Sequence, residues 1–173
     1  MSPDLASRIR EAALLEGDFV LSSGQRSSFY VDKYLFSTEP NLLRDVAAAL
    51  SREFPDDVER LAGVELGAVP LVVATALVTG LPYVIVRKST KGYGTERGIE
   101  GHLERGERVA LIEDVVTTGA QAVQAARSLV DAGVEVVTIV AVLDRRESSA
   151  EHLEEFSFTA LLRMEDLRVS RKD

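Results

Sequence analysis

The sequence predicts an α/β protein: a doubly wound, mainly parallel sheet with a small N-terminal hood. From Pro40 onward, short apolar runs alternate with amphipathic or apolar stretches of helical length, and parallel strands need long crossovers of that kind. The runs are almost purely apolar, as strands covered on both faces are. The opening segment breaks this rhythm, so it is read as a hood of about residues 1–37 beside a core of about 38–173, in a single domain.

Ser2-Pro3-Asp4 supplies an N-cap, a proline in the first turn and an acid near the positive helix end, and Leu5, Ile9, Ala12 and Ala13 follow at helical spacing. A first helix is expected to run to Glu16 and stop at Gly17. Phe19-Val20-Leu21 and Phe29-Tyr30-Val31 flank the polar stretch Ser22 to Ser28, which suits a hairpin. Leu42, Leu43, Val46, Ala47 and Leu50 share one face of a helix that starts at Pro40 and breaks at Phe54-Pro55. Strands follow at Leu61 to Val64, Tyr83 to Val86, Val109 to Ile112, Val134 to Leu143 and Phe158 to Leu162. Helices are expected at Pro70 to Val78, ended by Gly80, and at Ala120 to Ala132, ended by Gly133. Lys88 to Arg108 is rich in glycine and poor in apolar residues, the pattern of a long loop that is functional or disordered.

Bulk properties exclude several classes. The chain has 173 residues, 46% apolar and 28% charged, enough for one sizeable core. No apolar run approaches the roughly 20 residues of a membrane span, and the N-terminus lacks a signal-peptide layout. A soluble, cytoplasmic protein with no membrane partner is expected. There is no cysteine, and His102 and His152 lie far apart, so thiolate and zinc sites are excluded. A net charge of −8 argues against a nucleic-acid partner.

The strongest chemical signal runs from Val109 to Gln121. An apolar strand delivers Glu113 and Asp114 to its C-terminal edge, where ligands of open α/β sheets bind, and Thr117-Thr118-Gly119 then opens a helix. Free N–H groups at a helix start bind phosphate. Two carboxylates before them suit a diol, so the ensemble suits a sugar phosphate. Neither a nucleotide P-loop nor a Gly-x-Gly-x-x-Gly fingerprint is present. A second signal is Arg87-Lys88-Ser89-Thr90-Lys91, three cations at the mouth of the glycine-rich loop, suited to a departing polyanion.

The pattern of four apolar residues, two acids, two apolar residues and Thr-Thr-Gly resembles the phosphoribosyl pyrophosphate (PRPP) motif of type I phosphoribosyltransferases. The resemblance implies that Glu113 and Asp114 contact the ribose hydroxyls and that Val115, Val116, Thr117, Thr118, Gly119, Ala120 and Gln121 form the donor-phosphate loop. The loop beginning at Arg87 is similar to the catalytic loop of orotate phosphoribosyltransferases. This implies that Arg87, Lys88 and Lys91 contact pyrophosphate, some across a homodimer with shared active sites, and that Lys91 and Asp114 are catalytic. Phe29 and Tyr30 follow a Ser-Gly turn like that of the family and imply, with Thr117, the orotate site. Leu143-Asp144-Arg145-Arg146-Glu147 resembles the family's Asp-Arg-x-Glu, so Arg145 is implied as the carboxylate ligand. Ser22 stands where bacterial members carry a lysine, and Tyr93 where many carry a histidine. The likeness covers nearly the whole chain and is closest to the short archaeal-type enzymes.

The expected reaction joins PRPP and orotate into orotidine 5′-monophosphate and pyrophosphate, in pyrimidine biosynthesis. Mg²⁺ is expected on the donor's oxygens, with no metal site built from protein side chains. The alternatives are a purine phosphoribosyltransferase and a non-catalytic ligand-sensing regulator on the same fold.

Overall fold

A computed structural model describes residues 4–20, 24, 26–88, 98–146 and 153–168. The hood comprises α1 (Leu5–Ala13), β1 (Leu14–Val20), β2 (Arg26–Val31) and α2 (Lys33–Ser37). Asp4, not Ser2, caps α1, its carboxylate accepting the Ser7 N–H at 2.8 Å. The helix also ends at Ala13 rather than Glu16. Leu14, Leu15 and Glu16 pair instead with Val31, Tyr30 and Phe29, and Gly17 lies within β1 where the register shifts between Glu16 and Phe19. Helical periodicity cannot reveal a strand partner in the following segment, and the ladder hydrogen bonds override it.

The core begins with α3 (Pro40–Leu50), which Glu39 caps through the N–H groups of Asn41 and Leu42. This helix stops short of the expected Phe54-Pro55 break. There follow β3 (Arg60–Val64), α4 (Val69–Thr79), β4 (Tyr83–Val86), β5 (Ile99–Glu100), β6 (Arg108–Val116), α5 (Ala120–Asp131), β7 (Glu135–Asp144), β8 (Phe158–Arg163) and α6 (Met164–Arg168). The expected long loop from Lys88 is partly strand, because β5 turns back antiparallel on β4 and the Arg87 N–H donates to Gly98 O at 2.8 Å. The five-residue α2 and α6 and the two-residue β5 are too short for periodicity to announce.

The main sheet has the order β5-β4-β3-β6-β7-β8, parallel except at β5. Its two faces are buried in two separate cores. One unites Ile9, Phe36, Val46, Leu50 and Leu71 with Leu61, Ile112 and Val142 of the strands, tying the hood helices to α3 and α4. The other places Ala122, Ala126 and Leu129 of α5 on Ala62, Leu111 and Ile139. The sheet is therefore doubly wound. The crossover through α4 runs from β3 toward one edge, and that through α5 runs from β6 toward the other, so strand order reverses between β3 and β6. Ligand crevices of open sheets form outside such a reversal, at the carboxyl ends of the strands.

Candidate active site

Strand lengths open the crevice. β3 and β6 stay paired only to Gly63 and Ile112, whereas β6 runs on beside β7 to Val116 opposite Asp144. The strand is thus longer than the expected Val109 to Ile112, and Glu113 and Asp114 belong to it rather than to a loop beyond it. Both are buried.

The loop after β6 has the features of an anion cradle. Gly119 adopts φ 83°, a left-handed conformation that glycine takes without strain, and so turns the chain from strand into α5. Thr118 Oγ1 accepts the Ala120 N–H at 3.3 Å, while the N–H groups of Gln121 and Ala122 make no backbone hydrogen bond among the described residues. Thr117, Thr118, Gly119 and Gln121 line a small pocket whose wall includes Glu113. Burial first, and then the charge and hydrogen bond of Asp114, push the Glu113 carboxyl up to about 8. Its Oε2 has no hydrogen-bond partner among the described residues. Near neutral pH this acid holds its proton and does not repel a phosphate in the same pocket.

Asp114 sits differently. Its Oδ2 lies 2.7 Å from Nζ of Lys33, the first residue of α2, and its Oδ1 accepts the Val115 N–H at 2.6 Å. Burial weakens the Lys33 ammonium, but pairing with Asp114 outweighs it and raises Lys33 above the ordinary lysine value. Gly67, in the loop after β3, closes the third side: a Cβ there would stand 1.5 Å from Asp114 Oδ2 and 3.0 Å from Lys33 Nζ. Hood, β3 loop and β6 thus meet on one carboxylate. Sequence reasoning placed Gly67 in a donor-side loop, Glu65 to Ala68, for its backbone N–H groups, but did not single out Lys33 as a site residue. A lone lysine directly after the aromatic pair and Asp32 was the one available signal.

The cations after β4 adjoin the same cradle. Arg87 and Lys88 line a second pocket with Gln121 and Gln124. Glu65, whose peptide to Leu66 is cis, accepts the Lys88 N–H at 2.8 Å and lies 3.9 Å from Arg87, which also pairs with Glu100 at 3.0 Å. Glu65 therefore ties the β3 loop to the base of the β4–β5 excursion. Lys91 and Tyr93 within that excursion, and Ser22 in the hairpin turn, lie outside the described residues.

At the end of β7 the two adjacent arginines divide. Arg146 grips Asp144 through Nε at 3.0 Å and Nη2 at 2.8 Å, with its guanidinium 4.5 Å from the Phe158 ring centroid. Arg145, whose N–H donates to Val116 O at 2.8 Å, makes no ion pair among the described residues. Burial and then the charge of Arg168 lower its proton affinity, while Tyr30 opposes them. The hood aromatics stand nearby with separate partners. Tyr30 packs on Phe19 at 5.5 Å between ring centroids, and Phe29 lies under Arg168 at 5.6 Å. One sheet edge therefore carries a phosphate-sized cradle, a second polar pocket with two cations and, beside aromatic rings, a half-buried guanidinium with no ion pair among the described residues.

Comparison with known proteins agrees with this layout. The signature of the phosphoribosyl transferase domain matches residues 37–163. An orotate phosphoribosyltransferase of Halobacterium salinarum is 47% identical over 167 residues, spanning 95% of each chain. One of Natronomonas pharaonis is 44% identical over 171 residues, covering 97% of this chain and 98% of its own. The crystal structure of Mycobacterium tuberculosis H37Rv orotate phosphoribosyltransferase in complex with 5-phospho-α-D-ribosyl 1-diphosphate superposes with a TM-score of 0.73 at 28% identity. The superposition covers 95% of this chain and 97% of that one.

Proposed function

The chain belongs to the phosphoribosyl transferase family and, within it, to the orotate phosphoribosyltransferases, and we propose how its residues divide the reaction between donor and base. The enzyme transfers the phosphoribosyl group of PRPP to orotate, giving orotidine 5′-monophosphate and pyrophosphate in pyrimidine biosynthesis. The alternatives of a purine acceptor or a regulator are not favoured. The observation that carries the base assignment is Arg145, a half-buried guanidinium that no acid among the described residues neutralises. A carboxylated pyrimidine satisfies it; a purine does not.

In this reading Val115 to Gln121 hold the 5-phosphate through open N–H groups and hydroxyls, at the positive end of α5. Asp114, positioned by Lys33 and Gly67, and Glu113 receive the ribose hydroxyls. Protonated Glu113 can donate a hydrogen bond as well as accept one, which suits a site between hydroxyls and phosphate. Arg87, Lys88 and Lys91 face the pyrophosphate. Phe29, Tyr30, Thr117 and Arg145 hold orotate at the hood side.

The C1′–O bond to pyrophosphate breaks as positive charge develops at C1′. The pyrimidine N1 then forms the new bond to that carbon, and its proton is released. Pyrophosphate gains negative charge as it leaves, where Arg87, Lys88 and Lys91 stabilise it. Orientation of the two substrates and this charge stabilisation supply the acceleration, with no covalent nucleophile.

Mg²⁺ enters as part of the donor. Among the described residues no group of three or more acidic or histidine side chains could cage a metal, and Asp114 is already engaged by Lys33. The donor's phosphate and hydroxyl oxygens would carry the ion. A homodimer with shared sites is supported by apolar side chains left outside the core, one of them in the β3 loop that borders the crevice. Leu66 in the β3 loop is 65% exposed and Leu77 on α4 is 83% exposed. No helix among the described residues is long and apolar enough to cross a membrane.

The test is orotate absorbance with and without PRPP and Mg²⁺, beside adenine, guanine and hypoxanthine, in the wild type and in Arg145→Ala. Orotate alone should be consumed, and the variant should lose about a hundredfold in kcat/KM for it, the value of a bidentate charged pair. Unchanged orotate kinetics in the variant would remove Arg145 from the site.

A further inference from the structure

A second guanidinium stands beside Arg145. β8 runs parallel to β7 with Arg163 opposite Asp144, so Arg145 and α6 leave the sheet at the same edge. Leu167 is fully buried in the hood-side core and anchors α6. One residue on, Arg168 is exposed, with its Cζ 5.6 Å from the centroid of Phe29. The chain has 28 acidic residues and a net charge of −8. Arg60, Arg108, Arg127 and Arg146 each pair with an acid at 2.8 Å or less. Arg145 and Arg168 pair with none among the described residues. Two neighbouring cations with no acid partner among the described residues repel one another, and a bound anion relieves that repulsion.

We propose that Arg168 is a specificity-determining residue which, with Arg145, forms a two-guanidinium clamp on the orotate carboxylate. The inference rests on the reading of Arg145 as a carboxylate ligand. The charge of Arg168, second only to burial, lowers the proton affinity of Arg145, and an arriving carboxylate opposes that effect. A clamp of this kind separates orotate from uracil, which has the same ring without the carboxylate. Removing an exposed member of the clamp weakens the bound carboxylate without disturbing the donor site.

The experiment is steady-state kinetics of the full chain as wild type, Arg168→Ala, Arg168→Lys and Arg145→Ala, with uracil measured as a competitive inhibitor against orotate. In Arg168→Ala the KM for orotate should rise about tenfold, the size of one charge-assisted contact near solvent. The KM for PRPP and the inhibition constant of uracil should stay within about twofold of wild type. Arg168→Lys keeps the charge but not the planar guanidinium fork, so it should recover only part of the loss. Equal weakening of orotate and uracil would show that Arg168 only braces Phe29, and would overturn the clamp. If Arg145→Ala raises the KM for orotate but Arg168→Ala does not, the clamp is overturned while the reading of Arg145 stands. If neither variant moves it, both fall.

Discussion

Gly67→Ala should damage this enzyme as severely as the loss of an acid from its site, although it adds only one methyl group. The new Cβ would lie 1.5 Å from Asp114 Oδ2 and 2.6 Å from its Cγ. Carbon–oxygen contacts below about 3.0 Å are not tolerated, so the carboxylate or the loop must give way by about 1.5 Å. Asp114 has little freedom to do so, since its side chain is only 3% exposed. Its partner Lys33 would itself lie 3.0 Å from the same methyl.

The substitution therefore loosens the ion pair and overpacks its surroundings together, about 3 kcal/mol at the low end of breaking a buried pair, because Lys33 is partly exposed. For a domain of this size that corresponds to a fall of roughly 6–12 °C in Tm. A displacement above 1 Å in a positioning carboxylate costs about a hundredfold in kcat/KM for PRPP. Differential scanning fluorimetry and initial rates at varied PRPP measure both. The double variant Gly67→Ala with Asp114→Ala removes the clash, so its Tm should match that of Asp114→Ala alone. A Gly67→Ala protein melting within about 2 °C of wild type, with kcat/KM inside threefold, would refute the steric argument.

Two further outcomes follow from the same site. Glu113 has a folded pKa raised from 4.5 to about 8, so its contribution to stability is intact below 4.5 and is lost as pH rises toward 8. Glu113→Gln cannot ionise. Its stability relative to wild type should grow by a few kcal/mol between pH 5 and 8 and then level off, as read from urea unfolding at each pH; a flat difference would place the carboxyl in a more hydrated setting. Lys33→Met leaves Asp114 buried without its cation and should lower Tm by several degrees. It should also raise the KM for PRPP by about tenfold, and adding Asp114→Asn should restore most of the Tm; a deficit that persists in the double variant would argue against the pair.

Much of the fold was legible because its signals are local. The apolar runs at Leu61 to Val64, Tyr83 to Val86 and Phe158 to Leu162 coincide with β3, β4 and most of β8, and the left-handed Gly80 ends α4 where expected. The expected first helix overran because Leu14 to Glu16 are read by β2, a partner that no window on α1 contains. The acids at Glu113 and Asp114 looked like a strand's end, yet pairing with β7 extends β6 beyond them. Residue type could not foresee that, since isolated carboxylates are poor strand formers.

By itself the sequence determined the chemistry available at one edge of the sheet: a Thr-Thr-Gly cradle after two acids, cations after β4 and an arginine pair after β7. Local residue type and spacing carry that information, because phosphate binding at a helix start needs only a few consecutive residues. The tertiary structure decided which of these groups are charged and which are free. Burial beside Asp114 keeps Glu113 protonated, Lys33 reaches from the hood to Asp114, and Asp144 takes Arg146 while Arg145 has no acid partner among the described residues. The Lys33 pairing depends on a residue distant in sequence standing within about 3 Å of Asp114, and the burial of Glu113 on the packing around it, and only the packed fold sets either.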